Sequence, residues 1–238
     1  MVKLYAVFTG DIIGSRKRPE AQLENSISSL AETARRLSTL TGTDTRFTRF
    51  RGDGWQFLLA DPGQYLLAFT LLLARLRSTP ETLQTRMAIN IGPVDYIGTT
   101  DLSDARGSAF TQSGHALDNL GRDQDFVLSS APTDPVELLG AADRQTSLLG
   151  SIDWYDIPIL GLVSFIAKRW TKAQAEAVAL ALEHSGETQA DIARRLGITR
   201  QALNTRLVGA GFGPIRGAIT FTKMFDGSNE PQLATAAR

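Results

Sequence analysis

Phe8-Thr9-Gly10-Asp11-Ile12-Ile13-Gly14-Ser15 and Phe50-Arg51-Gly52-Asp53-Gly54-Trp55-Gln56-Phe57-Leu58 are the two stretches whose reading decides the fold. The first continues the apolar run 4–8, whose β-branched and aromatic residues spell a buried strand, and it places Asp11 at that strand's C-terminal mouth. In the second, an Asp-Gly pair separates two strand-like runs, 46–51 and 55–59. That is a strong hairpin signal, and it puts Asp53 at the tip. If these strands are neighbours, the two aspartates converge.

Outward from these stretches, residues 19–40 carry Leu23, Ile27, Leu30, Ala34 and Leu37 at helical spacing, with Pro19 at the start and Gly42 past the end. Residues 64–77 predict a second, very apolar helix and residues 86–94 another buried strand. The order strand, helix, strand, strand, helix, strand predicts an α+β fold of the ferredoxin-like, split βαβ kind, with helices on one face of an antiparallel sheet. Its first strand is central, beside the third. Beyond it, residues 99–106 read as a mobile loop, 108–120 and 135–149 as helices, and 126–129 as a strand. The expected division is an α+β domain over 1–150, a connector over 151–170, a small all-α domain over 171–225 and a disordered tail over 226–238.

Composition narrows the classes. The 238 residues are 42% hydrophobic and carry 25 Lys and Arg against 25 Asp and Glu, so no net charge steers the whole molecule toward nucleic acid or a membrane. Any such preference must be local. The chain has no cysteine, which excludes disulfides, thiolate zinc sites and cysteine nucleophiles and makes the cytoplasm the default location. The apolar runs 65–76 and 157–167 fall short of the roughly 20 residues a spanning helix needs, so no membrane partner is expected. The N-terminal apolar run is followed by Asp11 and then Arg16, Lys17 and Arg18, the wrong order for a secretory signal.

Residues 188–207 follow the logic of a helix-turn-helix. Thr188 is an N-cap, with Asp191 three residues on in the manner of a capping box. Ala193 is small where the helices cross and Gly197 makes the turn. Thr199 caps the second helix, and Ile192, Leu196, Ile198, Leu203 and Leu207 supply the core. Thr199, Arg200, Gln201, Asn204 and Arg206 remain as candidates to read base edges or hold phosphates of double-stranded DNA. Between Lys168 and Arg216 there are eight Lys or Arg and four Asp or Glu, a local excess of four positive charges. A module this small is expected to act as a homodimer. The plainer alternative is a helical interaction module that binds no nucleic acid.

The two aspartate stretches resemble a known family. The run 8–15 looks like the first metal motif of class III nucleotide cyclases, and Arg51-Gly52-Asp53-Gly54 looks like their second, on a hairpin that is also similar to that of GGDEF diguanylate cyclases. Over most of the chain, the run 10–17, the hairpin 52–56 and the terminal Thr-Gln-x-x-Ile-Ala-x-x-Leu-Gly-Ile resemble the SatD family. The cyclase resemblance implies a palm domain in which Asp11 and Asp53 are catalytic residues. With a backbone group of Ile12, they would hold Mg2+ or Mn2+ open to nucleotide oxygens. It further implies nucleotide contacts from Ile12, Ile13, Gly14, Ser15 and Arg49. From the later helix, Thr111 and His115 stand where cyclases have an asparagine and an arginine.

Neither of those is an arginine, and charge stabilisation by such a cation is a large part of phosphoryl transfer. Arg86 or Arg106 is the available substitute. Three functions are therefore expected, in this order. The first is a DNA-binding regulator whose palm binds a metal-nucleotide or related ligand. The second is an active nucleotidyl cyclase, and the third a silent scaffold in which Gly-Asp-Gly is only a turn and Asp11 only a cap.

Overall fold

The computed structural model describes residues 3–50, 52–121, 125–130 and 156–224. The helix expected over 135–149 and the tail over 226–238 lie outside the described residues. Strand β1 (Leu4–Ile12) is followed by α1 (Glu20–Thr41), β2 (Thr45–Phe50), β3 (Gly54–Leu59), α2 (Tyr65–Ser78), β4 (Thr85–Pro93), α3 (Ser108–Asp118) and β5 (Phe126–Ser130). The sheet order is β2-β3-β1-β4-β5, with β1 antiparallel to both β3 and β4, and β5 added parallel to β4. This is the expected split βαβ order, extended by one strand into a mixed sheet. The fold class is α+β.

Two features differ from the expectation. Strand β1 runs on to Ile12, so Asp11 lies inside the strand and not at its mouth. The cause is pairing on both edges: Asp11 sits opposite Gly54 on one side and Arg86 on the other. Helices also cover both faces of the sheet. Ala6, Phe8, Ile12, Phe57 and Ile89 pack with α1 and α2, whereas Tyr5, Val7 and Leu58 on the other face pack with Ala109 of α3. Strand β1 is apolar on both sides, and such a strand needs two covers. Between β1 and α3 the contact is partly polar, with Thr9 Oγ1 and Ser113 Oγ 2.7 Å apart in the buried interior.

The 99–106 stretch, expected to be mobile, is pinned. Arg46 Nη1 donates to the Gly98 carbonyl at 2.6 Å and the Thr99 carbonyl at 3.2 Å. Asp104 accepts from the Thr99 hydroxyl and amide, which holds its carboxyl below the ordinary range. Leu102 is buried beside Tyr5 and Val7 and donates its N–H to Thr48 Oγ1 at 2.7 Å. The polar residues that suggested looseness are spent on one another.

The C-terminal part comprises α4 (Asp156–Ala167), α5 (Lys172–Glu183), α6 (Gln189–Arg195), α7 (Arg200–Gly209) and α8 (Phe212–Met224). Helix α4 falls in the stretch read as a connector, and its Leu160, Val163 and Ala167 belong to the same apolar cluster as the α1/α2 face of the sheet. Helix α2 is apolar all round, as a helix buried on several sides must be, and it contacts α1, α4, α5 and α8. An ion pair closes its seam with α5: Glu183, with a 6% exposed side chain, accepts from Arg75 Nε at 2.7 Å and lies 3.3 Å from Arg36 Nη1.

Caps set the C-terminal helices. Thr171 and Gln174 form a full capping box on α5, unnoticed in the sequence. At α6, Thr188 caps as expected, but Asp191 takes the Thr188 hydroxyl at 2.6 Å and Arg194 at 2.8 Å. Aspartate is one methylene shorter than the Glu or Gln that closes the reciprocal arm.

Gly10 is dictated by packing. A Cβ there would overlap the Trp55 indole and lie 2.8 Å from the Arg86 carbonyl oxygen. Trp55 is fully buried and donates Nε1–H to Thr85 Oγ1 at 2.9 Å, so it has no room to yield. Gly10→Ala is expected to lower unfolding free energy by about 2–3 kcal/mol, measured by urea denaturation, through overpacking alone.

Candidate functional site

The register of β1 assembles the site. Asp11 and Arg86 are cross-strand partners and therefore share a face, the one covered by α3. Arg86 grips Asp11 as a fork: Nε lies 2.8 Å from Oδ1 and 3.0 Å from Oδ2, and Nη2 lies 2.7 Å from Oδ2. Asp11 is 27% and Arg86 39% exposed at the side chain, so the pair sits at the sheet's margin. The hydrogen bond to Asp11 raises the Arg86 pKa above its ordinary value, with burial opposing and the charges of Asp11, Asp118 and Asp53 adding to it. A base raised from an already high value keeps its proton throughout the working pH range, so Arg86 stays charged beside Asp11.

Asp53 follows from the hairpin. Its carbonyl accepts the Ile12 N–H at 3.2 Å, which joins the tip of the hairpin to the end of β1. Its carboxylate accepts the Ser15 hydroxyl. Ser15 begins a 3-10 turn entered through Gly14, whose φ of 73° is a conformation that glycine adopts freely. Asp11, Asp53, Ile12, Gly14 and Ser15 thus meet at one corner of the sheet. The Ile13 N–H donates to the Gln84 carbonyl at 2.8 Å, so the amides of Ile12 and Ile13 are both committed to protein partners.

Other expected site residues lie elsewhere. Arg49 is the cross-strand partner of Trp55 and so lies on the face of α1 and α2, opposite to Asp11. It donates to Glu24 at 2.7 and 2.9 Å and to the Gly52 carbonyl at 2.6 Å, which makes it a clasp for the hairpin. Thr111 and His115 are exposed on α3, two residues on either side of the buried Ser113, and at roughly 200° around the helix they point away from the sheet. Arg106 is exposed, pairs its backbone with Tyr96 and rests over that ring at 5.8 Å. Of the two arginines named as substitutes, Arg86 is the one beside Asp11. Its sequence signal was a lone charge at the head of an apolar strand.

Asp11 and Asp53 are the carboxylates that a divalent cation would need at this corner. Both oxygens of Asp11 are taken by Arg86, and among the described residues no three His, Asp or Glu converge as a metal cluster. As folded, the corner does not fit Mg2+ or Mn2+ on Asp11. A guanidinium supplies there the positive charge that a cation would otherwise bring. Removing it leaves two carboxylates at one corner without that compensation, and such a pair attracts a cation. Arg86→Ala is therefore expected to bind Mn2+ at least about tenfold more tightly than the unaltered chain, and Arg86→Ala/Asp11→Asn to lose the gain, read by Mn2+ electron paramagnetic resonance.

In comparisons with known proteins, neither a protein-family model nor a curated protein matches the chain, so the likeness to the SatD family stays with the motifs themselves. Solved structures do match in fold. A light-regulated bacterial adenylyl cyclase is 19% identical with a TM-score of 0.39, covering 54% of this chain and 75% of its own. The guanylyl cyclase domain of the RhoGC fusion protein from the aquatic fungus Blastocladiella emersonii is 16% identical with a TM-score of 0.38, covering 49% and 74%. The guanylyl cyclase Cya2 is 17% identical with a TM-score of 0.37, covering 60% and 82%. Over its N-terminal half the chain has a distant structural similarity to nucleotidyl cyclase domains.

Proposed function

We propose that the protein is a DNA-binding regulator whose cyclase-like palm takes a nucleotide or related phosphate-bearing ligand. The observation that carries this reading is the state of the α6–α7 pair. Gly197, at φ 64°, turns the chain between the helices, and Thr199 caps α7 by accepting the Ala202 N–H at 3.1 Å. Leu203 and Leu207 are buried, while Arg200, Gln201 and Asn204 are exposed along the first turns of α7. The early residues of the second helix are those that reach base edges in helix-turn-helix docking. Arg206 is set apart from them, half-buried and 3.8 Å from Glu176 of α5, so its role is to brace α7.

At the palm, a ligand's phosphates would take Arg86 and Ser15 at this corner only by drawing them from Asp11 and Asp53, so ligand binding has to open those two contacts. Such a ligand regulates only if its affinity differs between DNA-competent and incompetent forms. The second reading, an active cyclase with Asp11 and Asp53 as metal ligands, requires Arg86 to leave Asp11.

The test is selection of a DNA site from random duplexes by the full chain, followed by titration at several salt concentrations with and without ATP and GTP. Arg200→Ala is expected to weaken the selected site by about tenfold or more, and Gln201→Ala or Asn204→Ala to relax its sequence preference. Arg206→Ala should change affinity only through stability. Absence of any salt-dependent DNA binding would sink the DNA claim. DNA binding indifferent to every nucleotide would remove the regulatory one.

A further inference from the structure

On the far side of β4 from Asp11, between α2, the head of β4 and the C-terminal end of α4, lies a cavity of about 220 Å3. Its walls are apolar, with Phe69, Leu73, Leu76, Met87 and Phe126 among the described residues that line it. Its rim is cationic. Arg77 and Lys168 line it, and among the described lining residues the one carboxylate is Asp125, which pairs with Lys168. Among the described lining residues one positive charge is left over, on Arg77.

Arg77 is held in place without being saturated. Its Nε donates to the Trp170 carbonyl at 2.6 Å, and its terminal nitrogens have no partner among the described residues. A guanidinium fixed at one nitrogen presents the rest of its fork in a defined direction, the geometry that matches a carboxylate. Thr79, Thr82 and Ser164 add hydroxyl groups to the lining. Apolar walls with a few placed polar groups and one unbalanced cation are the composition of a small-molecule site.

We propose that this cavity binds a small, mostly apolar molecule carrying one carboxylate, its hydrocarbon part among Phe69, Leu73 and Met87 and its carboxylate on Arg77. A monoanion matches the single uncompensated charge, whereas a dianion would leave one charge unmatched in a half-apolar setting. Arg77 bonds the carbonyl of Trp170, whose indole in turn donates to the Ala210 carbonyl at the end of α7 at 2.8 Å. This inference stands apart from the DNA-binding reading and is tested without DNA.

The experiment is calorimetric titration of the full chain with butanoate, hexanoate, octanoate and decanoate, and with 1-octanol. Saturable binding of one molecule per chain is expected, strengthening about fourfold per added methylene and then levelling once the cavity is full. Arg77→Gln should weaken octanoate at least about tenfold and leave 1-octanol unchanged. Leu73→Trp, which fills the cavity, should abolish both; if that variant does not fold, Ser164→Leu replaces it. No saturable binding of any probe overturns the proposal. So does affinity that keeps rising with chain length and ignores both variants, which is adsorption to the surface.

Discussion

The pairing of β1 along both of its edges is the constraint from which the rest of the molecule follows. A strand flanked on each side cannot slip by one residue without turning its whole apolar set to the wrong face. That pairing places Asp11 opposite both Gly54 and Arg86, brings the hairpin tip to the end of β1, and leaves Gly10 beneath the Trp55 indole. The glycine of the Gly10-Asp11 pair is thus explained by a tryptophan from the neighbouring strand. No approach of a ligand is needed to account for it.

The electrostatics of the corner are governed by the same register. Two aspartates near one sheet end would repel, and each is given its own partner, Arg86 for Asp11 and Ser15 for Asp53. A fork of three contacts from a guanidinium is a directional clamp, unlike the loosely held charge of a lysine. The corner's charged and polar side chains are therefore satisfied within the fold.

Much of this was legible in the sequence, and the reason is periodicity. The strand and helix patterns from Leu4 to Val94 gave the element order, and Asp-Gly at residues 53 and 54 gave the hairpin. The threonines at 188 and 199 marked the starts of α6 and α7. What stayed hidden depends on register and on faces. Arg49 and Arg86 are both arginines near an aspartate in sequence or expected space, and only pairing reveals that one lies across the sheet from Asp11 and the other beside it. Thr111 and His115 stood at the right distance along the chain but on the solvent side of α3, because Ala109, Ser113 and Leu117 take the sheet side. The pinned loop at 99–106 was misread since its polar residues satisfy one another, a property of three dimensions that composition does not carry.

Helix α2 ties the sheet to the C-terminal helices. Eleven of its fourteen residues are buried, those toward the sheet and those toward α4, α5 and α8 alike. An α+β part standing alone would need a polar outer side on this helix. Here that side is apolar and closed by the Arg75–Glu183 pair, so α2 is shaped for the C-terminal helices as much as for the sheet. Removing the C-terminal helices would uncover a contiguous apolar face on α2, the kind of surface that drives association.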